Sequence, residues 1–191
     1  MVPFSRGFLH ARYILTWAAL AVTGSCFAQP ANNDPCGAVV LTPNLACTNT
    51  AGTLAAATAT PSIPAPGCAN YAGADVWYQV TVPASGQVTV ATSNQGGNIN
   101  TGMAFYTAAT CAGPFTLVSC NDDIVIIFNQ YSRLTYTGAP GTVIWVRVWR
   151  YGSTSGGNFN ICATAPPPPP ANNDPCGATP VPVAATCSYS S

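Results

Sequence analysis

The stretch DVWYQVTVPASGQVTV, residues 75–90, decides the fold class. Its alternation puts Val76, Tyr78, Val80 and Val82 on one face and Asp75, Trp77, Gln79 and Thr81 on the other, and the same period resumes after PASG. Two such runs parted by Pro and Gly predict strand, turn, strand, which reads as a β-hairpin. Working outward, MAFYTA (103–108), FTLVSC (115–120), SRLTYT (132–137), TVIWVRVW (142–149) and NFNICAT (158–164) continue the period-two pattern. The turn-forming stretches CAGP, TGAPG and STSGG separate them. AVVLT (38–42) and ACTNTAGTLAAAT (46–58) read as weaker strands, and no stripe of helical period stands out after residue 28. Eight or nine short strands with turns about every ten residues predict an all-β, antiparallel two-sheet sandwich or jelly roll, with a barrel as the alternative. IVIIFN (124–129) fits either a buried strand or a loop segment folded onto the core.

The chain has 191 residues, of which 48% are hydrophobic and only 5% charged. Globular chains average about a quarter charged residues, so surface polarity here must come from Asn, Thr, Ser and Gln. Part of the hydrophobicity lies in residues 1–28, where Arg6, His10 and Arg12 precede an apolar run and GSCFA offers small residues for cleavage after Ala28. This is the pattern of a secretory signal peptide, and the run is too short for a membrane span. Cys26 after small residues raises lipidation as an alternative, although Thr23 stands where an aliphatic residue is expected.

Beyond the leader there is no Lys, no Glu and no His, and three Arg against five Asp give a formal charge of −2. That balance argues against nucleic acid or an anionic membrane as partner. Eight cysteines remain, an even number in an exported chain, and disulfides are the expected state. Cys111 and Cys120 bracket one predicted hairpin and are expected to pair. Cys36, Cys47, Cys68 and Cys162 then allow three connectivities, with the Cys36–Cys47 spacing hinting at a local loop.

ANNDPCGA occurs at 31–38 and again at 171–178, and Cys36 and Cys47 recur at the same offset of 140 as Cys176 and Cys187. One unit of about 140 residues begins again. The expected organisation is therefore a signal peptide (1–28), a sandwich domain (29–164), a polyproline linker (165–170) and the truncated start of a second copy (171–191). Such a stub is too short to bury a core, with Cys176 and Cys187 the pair available to tie it.

With NNDPC, PGCANYAGADVWYQVTVPASGQVTV, SCNDD and GTVIWVRVWRYG…GNFNICAT in this order, residues 31–164 resemble the bacterial pre-peptidase C-terminal type domain, in the cysteine-containing form strung along large secreted surface proteins. The resemblance implies a non-catalytic jelly-roll-like sandwich attached to exported hydrolases or adhesins. In some members an Asn-Asp pair near the domain start, with acidic loop residues, binds calcium. Asn33 and Asp34 match that leading pair, and Asp122 and Asp123 match an acidic cluster after the cysteine. The chain departs from the pattern in having no Glu.

Read from the residues, Ca²⁺ needs six to eight oxygen ligands. Asn121, Asp122 and Asp123 supply three at a strand end, Asn33 and Asp34 can approach from the amino end, and Asp75 can join either set. The competing reading is turn chemistry, since Asn and Asp bond their own backbone in turns. A second candidate lies on strand 142–150, where Trp145, Arg147 and Trp149 form the stripe opposite Ile144, Val146 and Val148. Such a stripe suits sugars or peptide side chains, or else packs beneath a loop or a neighbouring repeat. Catalysis has little to work with, because no triad or Schiff base forms without His and Lys. The expected function is an extracellular binding or adhesion module whose partner is a glycan, a protein or a neighbouring repeat. The alternative is an accessory domain of an exported protease or glycosidase.

Overall fold

In the computed structural model, residues 28–125 and 129–180 are described. Nine strands form: β1 (Val39–Leu41), β2 (Thr50–Thr53), β3 (Asp75–Thr81), β4 (Gln87–Asn94), β5 (Thr101–Thr107), β6 (Thr116–Asn121), β7 (Arg133–Thr137), β8 (Val143–Arg150) and β9 (Asn158–Thr164). They make a five-stranded sheet in the order β1-β3-β8-β5-β6 and a four-stranded sheet in the order β2-β9-β4-β7. All pairings are antiparallel except β1 on β3. The fold is an all-β two-sheet sandwich, and among the described residues no helix is long and apolar enough to cross a membrane.

The valines of the deciding stretch fill the space between the sheets. Val76, Tyr78, Val80 and Val82 pack with Val88, Val90, Ile144, Val146, Val148, Phe159 and Ile161. However, β3 and β4 are not a hairpin. They belong to different sheets, so PASG is an arch across the sandwich. A hairpin would set the two valine faces side by side, whereas the arch turns them toward each other and closes the core between them. The arch is clasped by another inter-sheet connection, β7 to β8, through Gly138 N–H to the Gly86 carbonyl, Gly141 N–H to that of Val82, and Val82 N–H to that of Thr142.

IVIIFN is a loop at its described ends. Ile124 packs on the core, and Ile124 and Val125 exchange backbone hydrogen bonds with Asn129; residues 126–128 lie outside the described residues. The expected signal peptide, Ala28 apart, and Cys187 also lie outside them. Residues 171–178 repeat the local conformation of 31–38: a single 3-10 turn at Pro35–Gly37 and at Pro175–Gly177, with matching N–H bonds from Gly37 and Gly177 to Asp34 and Asp174.

Three disulfides tie the unit: Cys36–Cys111, Cys47–Cys162 and Cys68–Cys120. The expected Cys111–Cys120 bridge does not form, and neither does a local Cys36–Cys47 loop. The β5–β6 hairpin does form, with Thr107 opposite Thr116, but Cys111 sits in its loop while Cys120 is far along β6 opposite Ala104. An extended strand advances roughly 3.3 Å per residue, so the strand itself holds the two thiols apart. Cys176 is exposed and has no disulfide partner among the described residues.

Candidate functional site

Strand β8 runs through the centre of the five-stranded sheet, between β3 and β5. From the sequence its outward stripe is either a ligand platform or a face packed beneath a loop, and the structure shows the second, burying all of it: Trp145 is 6% exposed, Arg147 1% and Trp149 0%. The strap between β2 and β3, residues 58–71, and the β5–β6 loop, 108–115, lie over them. Trp149 Nε1–H donates to the Ala69 carbonyl at 2.9 Å and Trp145 Nε1–H to that of Ala108 at 3.2 Å. Phe115 inserts beside Trp77, Tyr106 and Trp145 with ring centroids 5.5, 6.3 and 5.7 Å away. Ile63, Ala69, Trp77, Ala104 and Tyr106 complete this second apolar layer. No face of the stripe is open to a ligand.

At the centre of the layer sits a buried ion pair, Arg147 Nη2 to Asp75 Oδ2 at 2.8 Å. Both Asp75 oxygens are further satisfied: Thr60 Oγ1–H and Trp77 Nε1–H donate to Oδ1, and Tyr71 O–H donates to Oδ2. The guanidinium also donates to the Thr60 and Pro64 carbonyls and to the Tyr71 hydroxyl, and lies 4.3 Å over the Tyr71 ring. Burial works against the Arg147 charge, but the Asp75 hydrogen bond and charge outweigh it and the pKa rises. Burial likewise raises the Tyr71 hydroxyl, with Asp75 adding to the effect. Arg147 Nε alone in this network is buried without an acceptor; the ion pair and the other hydrogen bonds offset the cost of burying the charges and hold the strap over the sheet. Thr60 and Tyr71 carry no signal in the sequence that would assign them to it.

The predicted metal ligands do not come together, and no three acidic, His or Cys side chains converge among the described residues. Asp75 belongs to the Arg147 network. Asn33 is buried, accepting from Thr58 N–H at 2.7 Å and donating to the Thr58 hydroxyl at 2.8 Å. Asn32 exchanges hydrogen bonds with the Trp77 backbone, so the two residues tie the amino-terminal segment to β3 and to Thr58 at the start of the strap. Asp34 is exposed and lines a separate cavity.

Asn121, Asp122 and Asp123 do stay together, at the end of β6. Asn121 Oδ1 accepts Arg133 N–H and its amide donates to the Asp123 carbonyl, while the Asp122 carbonyl accepts Ser132 Oγ–H. Asp122 Oδ1 and Asp123 Oδ1 are buried without any donor, as is Asn100 Oδ1 next to the start of β5. Since Met103 faces Asn121 across the β5–β6 ladder, Asn100 and Asp123 leave the sheet at the same end. Burial, then the Asp123 charge, raises the Asp122 pKa.

No protein-family model matches the chain, and no curated protein matches it. Several solved structures are similar, two of which follow. One is the pre-peptidase C-terminal domain of collagenase from Bacillus anthracis, at TM-score 0.43 and 11% identity, over 66% of this chain and 94% of that one. The other is CorA, a surface-associated copper-binding protein of Methylomicrobium album BG8, at TM-score 0.43 and 8% identity, over 68% of this chain and 98% of that one.

Proposed function

We propose that residues 29–164 form a non-catalytic binding or adhesion module, secreted or displayed on the bacterial cell surface within a larger multidomain protein. The observation that carries this reading is where the ionisable groups go. The sequence supplies no His, Lys or Glu after the leader, and the buried Asp75–Arg147 pair has its charges tied into holding a strap over one sheet. Three disulfides support an oxidising, extracytoplasmic location. Partners are extracellular glycans or proteins, or neighbouring repeats. The test is the exported protein applied to arrays of glycans and of extracellular-matrix and cell-surface proteins, beside peptidase and glycosidase assays. Saturable retention without turnover is expected; turnover by residues 29–164 would overturn the reading.

Within this module Ca²⁺ belongs at the β6 end, on Asn121, Asp122 and Asp123, rather than on the wider set that includes Asn33, Asp34 and Asp75. The donorless buried oxygens of Asp122 and Asp123 support it, because adjacent carboxylates in a partly buried corner need a counter-charge and Ca²⁺ takes carboxylate and carbonyl oxygens. Ca²⁺ should raise the melting temperature by several degrees in the parent and not in Asp122→Asn. Without Ca²⁺ the raised Asp122 pKa means the folded state holds that proton more tightly than the unfolded chain. This group's contribution to stability therefore grows as pH falls through the native pKa, and Asp122→Asn should melt slightly above the parent at pH 7 in chelator. Identical melts with and without Ca²⁺, and no heat in calorimetry, would remove the site.

A further inference from the structure

Beside the strap, the 3-10 turn Pro35–Gly37 and the β5–β6 loop enclose a cavity of about 460 Å³, a size typical of small-ligand sites. Its wall is mostly apolar, built from Ile63, Pro64, Phe115 and the Cys36–Cys111 bridge. One group breaks that character. Asp34 precedes the turn and is the residue expected to cap it, yet its side chain makes no capping bond, and among the described residues it has no hydrogen-bond partner and no ion pair. Two hydroxyls also line the wall: that of Thr60 is directed inward, donating to Asp75 and accepting from Trp77 Nε1–H, and that of the exposed Ser62 is neutral and brings no counter-charge to Asp34. The cavity thus offers one exposed carboxylate with no protein partner among the described residues, beside an aromatic ring and aliphatic surface.

An ammonium or guanidinium on an apolar stem is the chemical complement of that arrangement, because the stem buries against Phe115 and the disulfide while the charge reaches Asp34. We propose that this cavity receives a lysine or arginine side chain of an extracellular polypeptide. The inference rests on the reading of the chain as a binding module and names one of its sites. After the leader the chain has no Lys of its own, Arg147 is buried and Arg150 donates to the Gly156 carbonyl, which leaves the exposed Arg133 of a second copy as the competing occupant that the test must separate.

The exported protein, isotope-labelled with its disulfides intact, would be titrated with the peptide acetyl-Gly-Lys-Gly-amide, its arginine counterpart, its Nε-acetyl-lysine counterpart and free spermidine, followed by amide chemical shifts. Saturable shifts at Asp34, Ile63, Cys111 and Phe115 with the first two peptides are expected, weakened at least tenfold in Asp34→Asn and by 0.5 M salt, and absent with acetyl-lysine. Asp34 makes no side-chain bond among the described residues, so this variant keeps the cavity intact. Equal binding by acetyl-lysine or by Asp34→Asn, or no shifts at 10 mM peptide on the order of the weakest specific contacts, would overturn the assignment. Binding of spermidine but not the peptides would also overturn it, as would a change in sedimentation with Arg133→Gln that showed a second copy filling the cavity. If glycan or protein retention survives Asp34→Asn unchanged, this inference alone falls; if the parent retains nothing on any surface, the module reading falls with it.

Discussion

The outer faces of the two sheets obey the same alternation and end up in different environments. On the five-stranded sheet, the outward positions of β3, β5 and β8 hold Trp77, Tyr106, Trp145, Arg147 and Trp149, and a strap and a loop bury every one of them. On the four-stranded sheet, the outward positions of β4 and β7 include Gln87, Thr89, Ser93, Thr135 and Thr137, where the Thr89 and Thr135 hydroxyls bond each other at 2.8 Å and Gln87 Nε2–H donates to Thr137 at 3.4 Å. A period-two pattern tells which residues share a face but not how many layers cover it. The residue types do: aromatics with a single Arg require a cover, and threonines do not.

The largest test of that contrast is Asp75→Ala, which strands Arg147 in the covered layer. A loss of about 3–5 kcal/mol is expected, read as a drop in melting temperature on the order of 10 °C for a domain of this size. The double variant Asp75→Leu/Arg147→Met should recover most of it, because an apolar pair needs no compensation. If the double variant is as unstable as the single, the charges specify the strap in a way that apolar packing cannot replace.

Next in size is removal of the Cys68–Cys120 bridge, which joins the strap to β6. Cys68→Ser/Cys120→Ser should cost roughly 2–4 kcal/mol in urea unfolding and raise acrylamide quenching of tryptophan as the cover loosens. Unchanged quenching would mean that the Arg147 network holds the strap unaided.

A smaller effect separates core from cover by pH. Burial pushes the Tyr78 hydroxyl, in the central core, up to about 12. Burial also raises Tyr71 and Tyr106, in the covered layer. A raised native pKa means the neutral phenol is favoured by folding, so this stability is complete below the unfolded value near 10 and is lost as pH rises toward the native values. Tyr78→Phe should flatten the alkaline decline between pH 10 and 12 by about 2 kcal/mol. A steeper decline would mean that the hydroxyl is needed in its place.

The smallest effect is expected on the open sheet. Thr89→Val and Thr135→Val should each change stability by less than about 0.5 kcal/mol. A cost above about 1.5 kcal/mol would show that this face too is covered in solution.

The strands were legible because β-period is local: all seven clear runs and the weak run 38–42 became strands close to their expected bounds, whereas of the weak run 46–58 only Thr50–Thr53 is strand. Partnership between strands was not, because a four-residue turn such as PASG looks alike whether it closes a hairpin or arches between sheets. The choice falls to contacts made by distant residues, here Gly138 and Gly141. The same holds for the bridges. Cys36 meets Cys111 across 75 residues and Cys47 meets Cys162 across 115, separations at which spacing carries no information. Of the candidate ligands, Asn121, Asp122 and Asp123 stayed together because they are contiguous. Asp75 left the set because its partner lies 72 residues away on β8.

The bridge between Cys47 and Cys162 sets how the unit bears tension. Cys36 and Cys162 are 126 residues apart along the chain, which would pay out roughly 400 Å if stretched. Through the Cys47–Cys162 bond the covalent route between them is eleven residues, or roughly 40 Å of slack. Pulled from both ends, the oxidised unit is a short inextensible link, and only a reductant turns it into a long tether.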